Sequence, residues 1–123
     1  MLPISNARLI FSTSCLAVAL GAYKYITMTN VNGVLKNRED PESKISYISK
    51  KQAERLIKEG VLAGGMVPKV QTCLEAVKGG VKRVHILNGL EEDSLLKEVF
   101  TKKGVGTMIL TDEDAEEYRD KGY

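Results

Sequence analysis

Apolar positions at helical spacing recur along the chain and alternate with short apolar runs. Residues 9–20 are apolar on nearly every side, which predicts a helix packed on several sides and stopped by Gly21. A capping box beginning at Ser49 opens a second predicted helix, and a third covers residues 68–78. Their apolar stripes are Ala53, Leu56 and Ile57 in the second helix and Val70, Cys73, Leu74 and Val77 in the third.

Runs rich in β-branched and aromatic residues predict strands at 24–29, 83–87 and 106–110. The first of these strands is predicted to be buried. Residues 91–104 have acidic residues first and lysines last, which favours a helix. Residues 111–123 form a charged terminal helix or frayed tail. Because strands alternate with helices, the pattern predicts one α/β domain with a largely parallel sheet.

Composition narrows the choice of partners. The 18 basic and 16 acidic residues leave a net charge of +2, which gives no reason to expect nucleic acid or an anionic membrane as a partner. Cys15 and Cys73 both lie in apolar helical patterns, so buried, reduced thiols are expected. Without a CxxC motif or a Cys/His cluster, no metal site is predicted.

The first 22 residues allow two interpretations. One arginine, an apolar run and then small residues resemble a secretory signal peptide, which would make this a secreted, helix-rich protein. Residues 9–20 are too short to span a bilayer, which takes ~20 apolar residues. A buried helix ending at Gly21 explains the same residues and is the interpretation adopted here.

The stretch GVLAGGMVPK places Lys69 directly after a glycine loop. Pro68 suits the first position of a helix, and Gly64 and Gly65 let a ligand approach the backbone closely. A helix N-terminus with open N–H donors attracts anions, and Lys69 adds a full positive charge there. The spacing is not that of a Walker loop. The alternatives are a phosphate site and a solvated surface lysine.

Several blocks of the sequence resemble N-acetylglutamate kinases, members of the amino acid kinase family. They are GVLAGGMVPKVQTCLEAVKGGVKRVHILNG, ALGAYKYITMTNVNGVL, ISYISKKQAERLIKEG and LLKEVFTKKGVGTMI, in the family's order and spacing. The resemblance covers about residues 6–110, within a predicted domain of 1–110. It implies the C-terminal, nucleotide-binding half of a carbamate/amino acid kinase-like three-layer sandwich with a mainly parallel sheet.

The resemblance also implies an activity, which is ATP- and Mg²⁺-dependent phosphorylation of the γ-carboxylate of N-acetyl-L-glutamate in arginine biosynthesis. A cytoplasmic location is expected, or a plastid or mitochondrion in a eukaryote. The expected macromolecular partner is a second copy of the chain or the missing N-terminal half of the kinase fold. Neither nucleic acid nor a membrane is expected.

Residue roles follow from the same resemblance. Lys69 matches the lysine that contacts the transferring phosphoryl group, and Asn6 matches an asparagine near the acetylglutamate site. Two further segments match residues that line the nucleotide. They are Asn30, Val31, Asn32, Gly33, Val34 and Leu35, and Val61, Leu62, Ala63, Gly64 and Gly65.

The sequence departs from the family in three places. The N-terminal half, with its substrate-binding groups, is absent. Ile10 stands where the family has an aspartate that orients the catalytic lysines, and Asn30 replaces a loop aspartate. We therefore expect the chain alone to be inactive. The alternative is a non-catalytic kinase-like module that binds nucleotide or serves assembly or regulation.

His85 is the single histidine of the chain and falls in a predicted strand. A packed structural histidine is the simpler interpretation. In arginine-inhibited relatives this neighbourhood borders the effector site, so a regulatory role is the alternative.

Overall fold

The computed structural model describes residues 6–37, 39–62, 65–101 and 104–122, and within them every side chain except those of residues 6–11 and 41. The helices are α1 (Asn6–Ala19), α2 (Lys50–Lys58), α3 (Met66–Lys78), α4 (Ser94–Phe100) and α5 (Asp112–Asp120). The strands are β1 (Lys24–Thr29), β2 (Tyr47–Ser49), β3 (Arg83–Asn88) and β4 (Thr107–Leu110). Within these residues, no helix has the length and apolar character needed to cross a membrane.

The strands of this part of the chain form one sheet in the order β1-β3-β4-β2. β1 pairs with β3 and β2 pairs with β4 in parallel, whereas β3 and β4 are antiparallel. The predicted α/β class with a mainly parallel sheet is confirmed. The sequence pattern did not indicate β2, because three residues are too few to show a period of two.

Helices α1, α2 and α3 cover one face of the sheet. Their buried side chains form one cluster with Ile48, Val84, Ile86 and Ile109 from the strands. Ser49 caps α2 through the predicted capping box, with Gln52 bonding back to the Ser49 N–H.

The opposite face of the sheet carries helices α4 and α5. Side chains alternate between faces along a strand, so His85 points away from the cluster that holds its neighbours, Val84 and Ile86. Its ring bonds Glu98 of α4. A second cluster joins the sheet to α5 and consists of Met108, Leu110 and Ala115, with Tyr47 and Tyr118 packed against it. Residues 112–120 are therefore an ordinary packed helix.

Helix α1 is far less buried than its composition predicts. Leu16 has 57% of its surface exposed, Leu20 just after the helix has 73%, and Cys15 is exposed. Ser14 and Ala17 are buried, and α1 packs along α3. The predictions of a helix packed on several sides and of a buried Cys15 were wrong, because Ser14 and Ala17 are the only buried side chains among the described residues 12–19 of α1. Cys73 is buried, and burial raises the pKa of its thiol to about 12.

Two further predictions need correction. β1 has the predicted bounds, but it lies at the edge of the sheet, where Thr27 is buried and Met28 is half-exposed. The prediction for residues 24–29 is therefore right about the bounds of the strand and wrong about its burial. Helix α4 covers only Ser94–Phe100, inside the predicted 91–104, and Asp93 precedes it in a left-handed conformation.

Candidate functional site

A cleft of about 260 Å³ lies where the loop after β1 meets the N-terminus of α3. Most of the predicted nucleotide-lining residues in the described ranges border this cleft, and so does Lys69. The lining consists of Asn30, Val31, Gly33, Leu35, Val61, Leu62, Gly65, Met66 and Lys69. Two sequence segments about thirty residues apart thus border one cleft.

Two of the predicted residues, Asn32 and Val34, lie outside the cleft lining. Val34 is fully buried beneath the loop, and Asn32 accepts a hydrogen bond from the Asn88 side-chain amide at 2.8 Å. Both hold the loop rather than face the cleft. Ala63 and Gly64 are outside the described residues, and so are the side chains of Asn6 and Ile10.

Helix α3 begins earlier than the sequence predicts. Gly65 is its N-cap and makes no side-chain capping bond, so Pro68 occupies the third helical position rather than the first. That position still belongs to the first turn, whose N–H groups have no acceptor within the helix, so proline is tolerated there. Met66, the first residue of the helix, lines the cleft, and its backbone N–H donates no bond to an N-cap side chain, as an anion site requires.

Lys69 lies at the end of this first turn and is half-buried in the cleft wall. The lining residues include no carboxylate, and none of the ion pairs found among the described residues involves Lys69. A cation in the first turn of a helix is unfavourable with respect to the helix dipole. The positive charge of Lys69 therefore has no protein counter-charge in the described part of the cleft.

Thr107 holds the loop after β1 in place. Its Oγ1 accepts a hydrogen bond from the Val34 N–H at 2.8 Å and donates one to the Ile45 carbonyl at 2.7 Å. Gly33 has a φ of +126°, and a Cβ there would lie 2.6 Å from the same hydroxyl. No sequence pattern marks Thr107, since a threonine at the start of a strand carries no signal of a partner 73 residues away.

A larger pocket of about 640 Å³ opens on the other face of the sheet. His85 and Glu98 line it together with Lys24, Arg83 and Tyr118, among others. His85 Nδ1 lies 2.8 Å from Glu98 Oε1, and this imidazole–carboxylate contact is almost completely buried.

Glu98 is held as a carboxylate by its neighbours. Burial by itself raises the pKa of this group, but the hydrogen bonds from His85 and from the Val105 and Gly106 N–H groups outweigh it, so the pKa is lowered overall. Within the part of the chain that the structure describes, His85 Nε2 is buried without a hydrogen-bond partner. The simple interpretation of His85 as a packed residue therefore accounts for only one of its two nitrogens.

Comparison with known proteins shows the family of this chain. The model of the amino acid kinase family matches residues 11–88. The chain belongs to the amino acid kinase family. Acetylglutamate kinase from Pelotomaculum thermopropionicum is 46% identical over 104 residues, which is 85% of this chain and 35% of that protein. The chain thus spans about a third of the length of this curated relative.

Solved structures of similar proteins agree with the fold. N-acetylglutamate synthase from Neisseria gonorrhoeae, in complex with coenzyme A and L-arginine, superimposes with a TM-score of 0.74 at 30% identity. The match covers 84% of this chain and 23% of that one. Carbamate kinase from Giardia lamblia bound to AMP-PNP gives a TM-score of 0.70 at 27% identity over 84% of this chain and 35% of that one. The three-layer kinase-like architecture is therefore shared.

Proposed function

We propose that this chain is the nucleotide-binding half of an acetylglutamate kinase. The observation that carries the proposal is the convergence of Lys69, the open N-terminus of α3 and the loop after β1 on one cleft. In the complete enzyme this half would hold ATP for phosphorylation of the γ-carboxylate of N-acetyl-L-glutamate. The similarity to acetylglutamate kinases and to a carbamate kinase seen with AMP-PNP supports this assignment.

Each end of the cleft suits one part of a nucleotide. The Lys69 ammonium and the Met66 N–H group form the cationic part of the cleft, which suits phosphate oxygens. Phosphoryl transfer needs positioning and positive charge rather than covalent help, so a lysine here stabilises charge on the transferring group. Much of the remaining lining is apolar and suits the nucleoside. It includes Val31, Leu35, Val61 and Leu62.

Magnesium is expected with ATP, but the described lining does not fit a directly coordinated ion. Mg²⁺ in such sites usually takes one or two carboxylates besides phosphate oxygens. Asn30 offers an amide oxygen in place of the family's aspartate, and the described lining contains no carboxylate. We assign no catalytic step to the metal in this chain.

Catalysis by the chain alone is not expected. The resemblance assigns acetylglutamate binding largely to an N-terminal half that this sequence lacks, and it puts Ile10 in place of an orienting aspartate. Positioning of reactants contributes up to ~7–11 kcal/mol to such reactions. We therefore expect turnover only when the N-terminal half of a relative is added in trans to an Ile10→Asp variant. Turnover by the unmodified chain alone would contradict this expectation.

Nucleotide binding is tested by titrating the chain with ATP and Mg²⁺ in a calorimeter. Lys69→Ala should weaken binding by roughly 1–3 kcal/mol, the loss of a charge-assisted contact. Lys58→Ala removes an equal charge from an exposed position of α2 outside the cleft, and it should bind as the parent chain does. Equal affinities for the Lys69 and Lys58 variants would remove Lys69 from the site.

The pocket on the opposite face favours a second candidate function, amino-acid sensing. If His85 Nδ1 donates its proton to Glu98, the buried Nε2 is an acceptor for a ligand N–H, while Lys24 and Arg83 are available to a carboxylate. The synthase with similar architecture was crystallised with L-arginine, and the same ligand is the natural candidate here. Thermal shifts with L-arginine, lost in Glu98→Gln and weak with D-arginine, would support it. Equal shifts with both enantiomers would oppose it.

A further inference from the structure

The acidic side chains of this chain all lie outside the lining of the nucleotide cleft. Each of the 16 aspartates and glutamates falls within the described residues, and none of them lines the cleft. Glu59 comes nearest to the lining along the sequence, just before Gly60 and Val61, and it is exposed at the C-cap of α2. The described lining therefore brings positive charge through Lys69 and no negative charge.

A cleft with this charge distinguishes two forms of a nucleotide. Magnesium bound to the phosphates of ATP cancels much of the negative charge that a lysine and a helix N-terminus attract. Proteins that bind the magnesium complex usually compensate with one or two carboxylates that hold the ion. Here the ion would meet Lys69, which is half-buried and so interacts strongly with nearby charges.

Asn30 is the one described lining residue whose side chain offers an oxygen atom. Its amide oxygen is neutral, so it attracts Mg²⁺ less strongly than a carboxylate oxygen would. The side chain is exposed, and an aspartate has nearly the same shape. The charge at this single position can therefore be changed without a change in packing.

We propose that the cleft binds a metal-free nucleoside di- or triphosphate in preference to its magnesium complex. The inference rests on the proposed nucleotide site, and it names the form of ligand that the site takes. The family resemblance implies ATP together with Mg²⁺, so this preference would separate the chain from the kinases that it resembles. Its cause is the combination of Lys69 with a lining that lacks a carboxylate among the described residues.

The test titrates the parent chain with ATP in a calorimeter, once in metal-free buffer and once with excess MgCl₂ at the same ionic strength. Affinity should be about tenfold higher without magnesium, because the free triphosphate keeps the charge that Lys69 attracts. Equal or higher affinity with magnesium would overturn the preference and leave the nucleotide site standing. If ATP bound in neither buffer, the nucleotide site itself would be overturned together with the preference.

Asn30→Asp tests the cause by adding a carboxylate to the cleft lining. It should weaken the binding of metal-free ATP and strengthen that of the magnesium complex, so the preference should be lost. An unchanged preference in this variant would overturn the proposal, because a carboxylate in the lining would then not decide which form binds.

Asn37→Asp is the matched control, since it makes the same change at an exposed residue outside the cleft lining. Asn37 Oδ1 accepts the Glu39 N–H at 3.1 Å, and a carboxylate oxygen accepts the same bond. This variant should keep the preference of the parent chain. Loss of the preference in both variants would contradict the proposal, because the effect would then follow from net charge and not from the cleft.

Discussion

At the scale of single residues, a few side chains with distant partners hold the two candidate sites together. Thr107 joins the loop after β1 to the segment before β2, and Glu98 joins His85 to the backbone before β4. Each is a buried polar group with its hydrogen bonds made, and such groups are costly to leave unpaired. At both residues a substitution of similar shape can remove a hydrogen bond and so test its contribution.

Thr107→Val should destabilise the chain by about 1–3 kcal/mol, because it leaves the buried Val34 N–H without an acceptor. Thr107→Ser keeps the hydroxyl and should recover most of this loss. Urea unfolding followed by circular dichroism measures both variants. A Thr107→Val chain as stable as the parent would mean that the loop does not depend on this hydroxyl.

Glu98 should make the free energy of unfolding depend on pH in the acidic range. The pKa of Glu98 in the folded chain lies below the ordinary 4.5, so the unfolded chain binds the proton more readily. The Glu98 carboxylate therefore stabilises the fold above pH 4.5, and this stabilisation is lost as the pH falls through the folded pKa. Glu98→Gln cannot lose a charge. The difference in unfolding free energy between the parent and this variant should therefore narrow below pH 4.5. A difference that stays constant on acidification would contradict the assigned shift.

At the scale of elements, α1 and α3 approach each other closely because both present small residues. Among the described side chains of α1, Ser14 and Ala17 are buried, and the C-cap of α3 is Gly79, which lies against Val18. Leu16, on another side of α1, remains exposed. The small residues of α1 thus make its contact with α3.

Gly79→Ala should cost roughly 1–3 kcal/mol through overpacking, since its Cβ would lie 2.6 Å from Val18 Cγ2. The φ of Gly79 is −80°, so backbone strain does not contribute. The double variant with Val18→Ala removes the obstructing methyl groups and should be more stable than Gly79→Ala alone. Additive losses in the double variant would show that the two residues do not touch in solution.

At the scale of the whole molecule, the described sheet has an open side. β1 is an edge strand, and Met28 is half-exposed beside it. Exposed apolar side chains also occur on α1 and α4, among them Leu16, Leu96 and Phe100. An unpaired edge next to apolar surface favours association with another strand.

We expect the isolated chain to self-associate and to unfold without a sharp two-state transition. Met28→Lys should reduce association, because a lysine beside the edge discourages strand pairing. Gln71→Lys adds the same charge at an exposed position of α3 and should leave association unchanged. Sedimentation velocity over a range of concentrations distinguishes them. A clean monomer with a sharp unfolding curve would contradict the expectation.

The sequence by itself determined the features that depend on neighbouring residues. Caps, turn glycines and short apolar periods act within a few positions, so the bounds of β1 and the capping box at Ser49 were predicted correctly. Lys69 and the glycines before it were singled out for the same reason, and their role stays a prediction, although α3 begins at Met66 rather than at Pro68. The residues that line the cleft were expected mainly because the sequence resembles a known family.

Only the tertiary structure decided which elements meet. The antiparallel pairing of β3 with β4, the edge position of β1 and the exposure of Cys15 depend on what packs against each element, which no local pattern encodes. The same holds for Thr107, whose partner Val34 is 73 residues away, and for Tyr118 against Arg83. Local chemistry indicated most of the elements and some of their bounds, whereas long-range packing decided which side chains became buried and which could form a site.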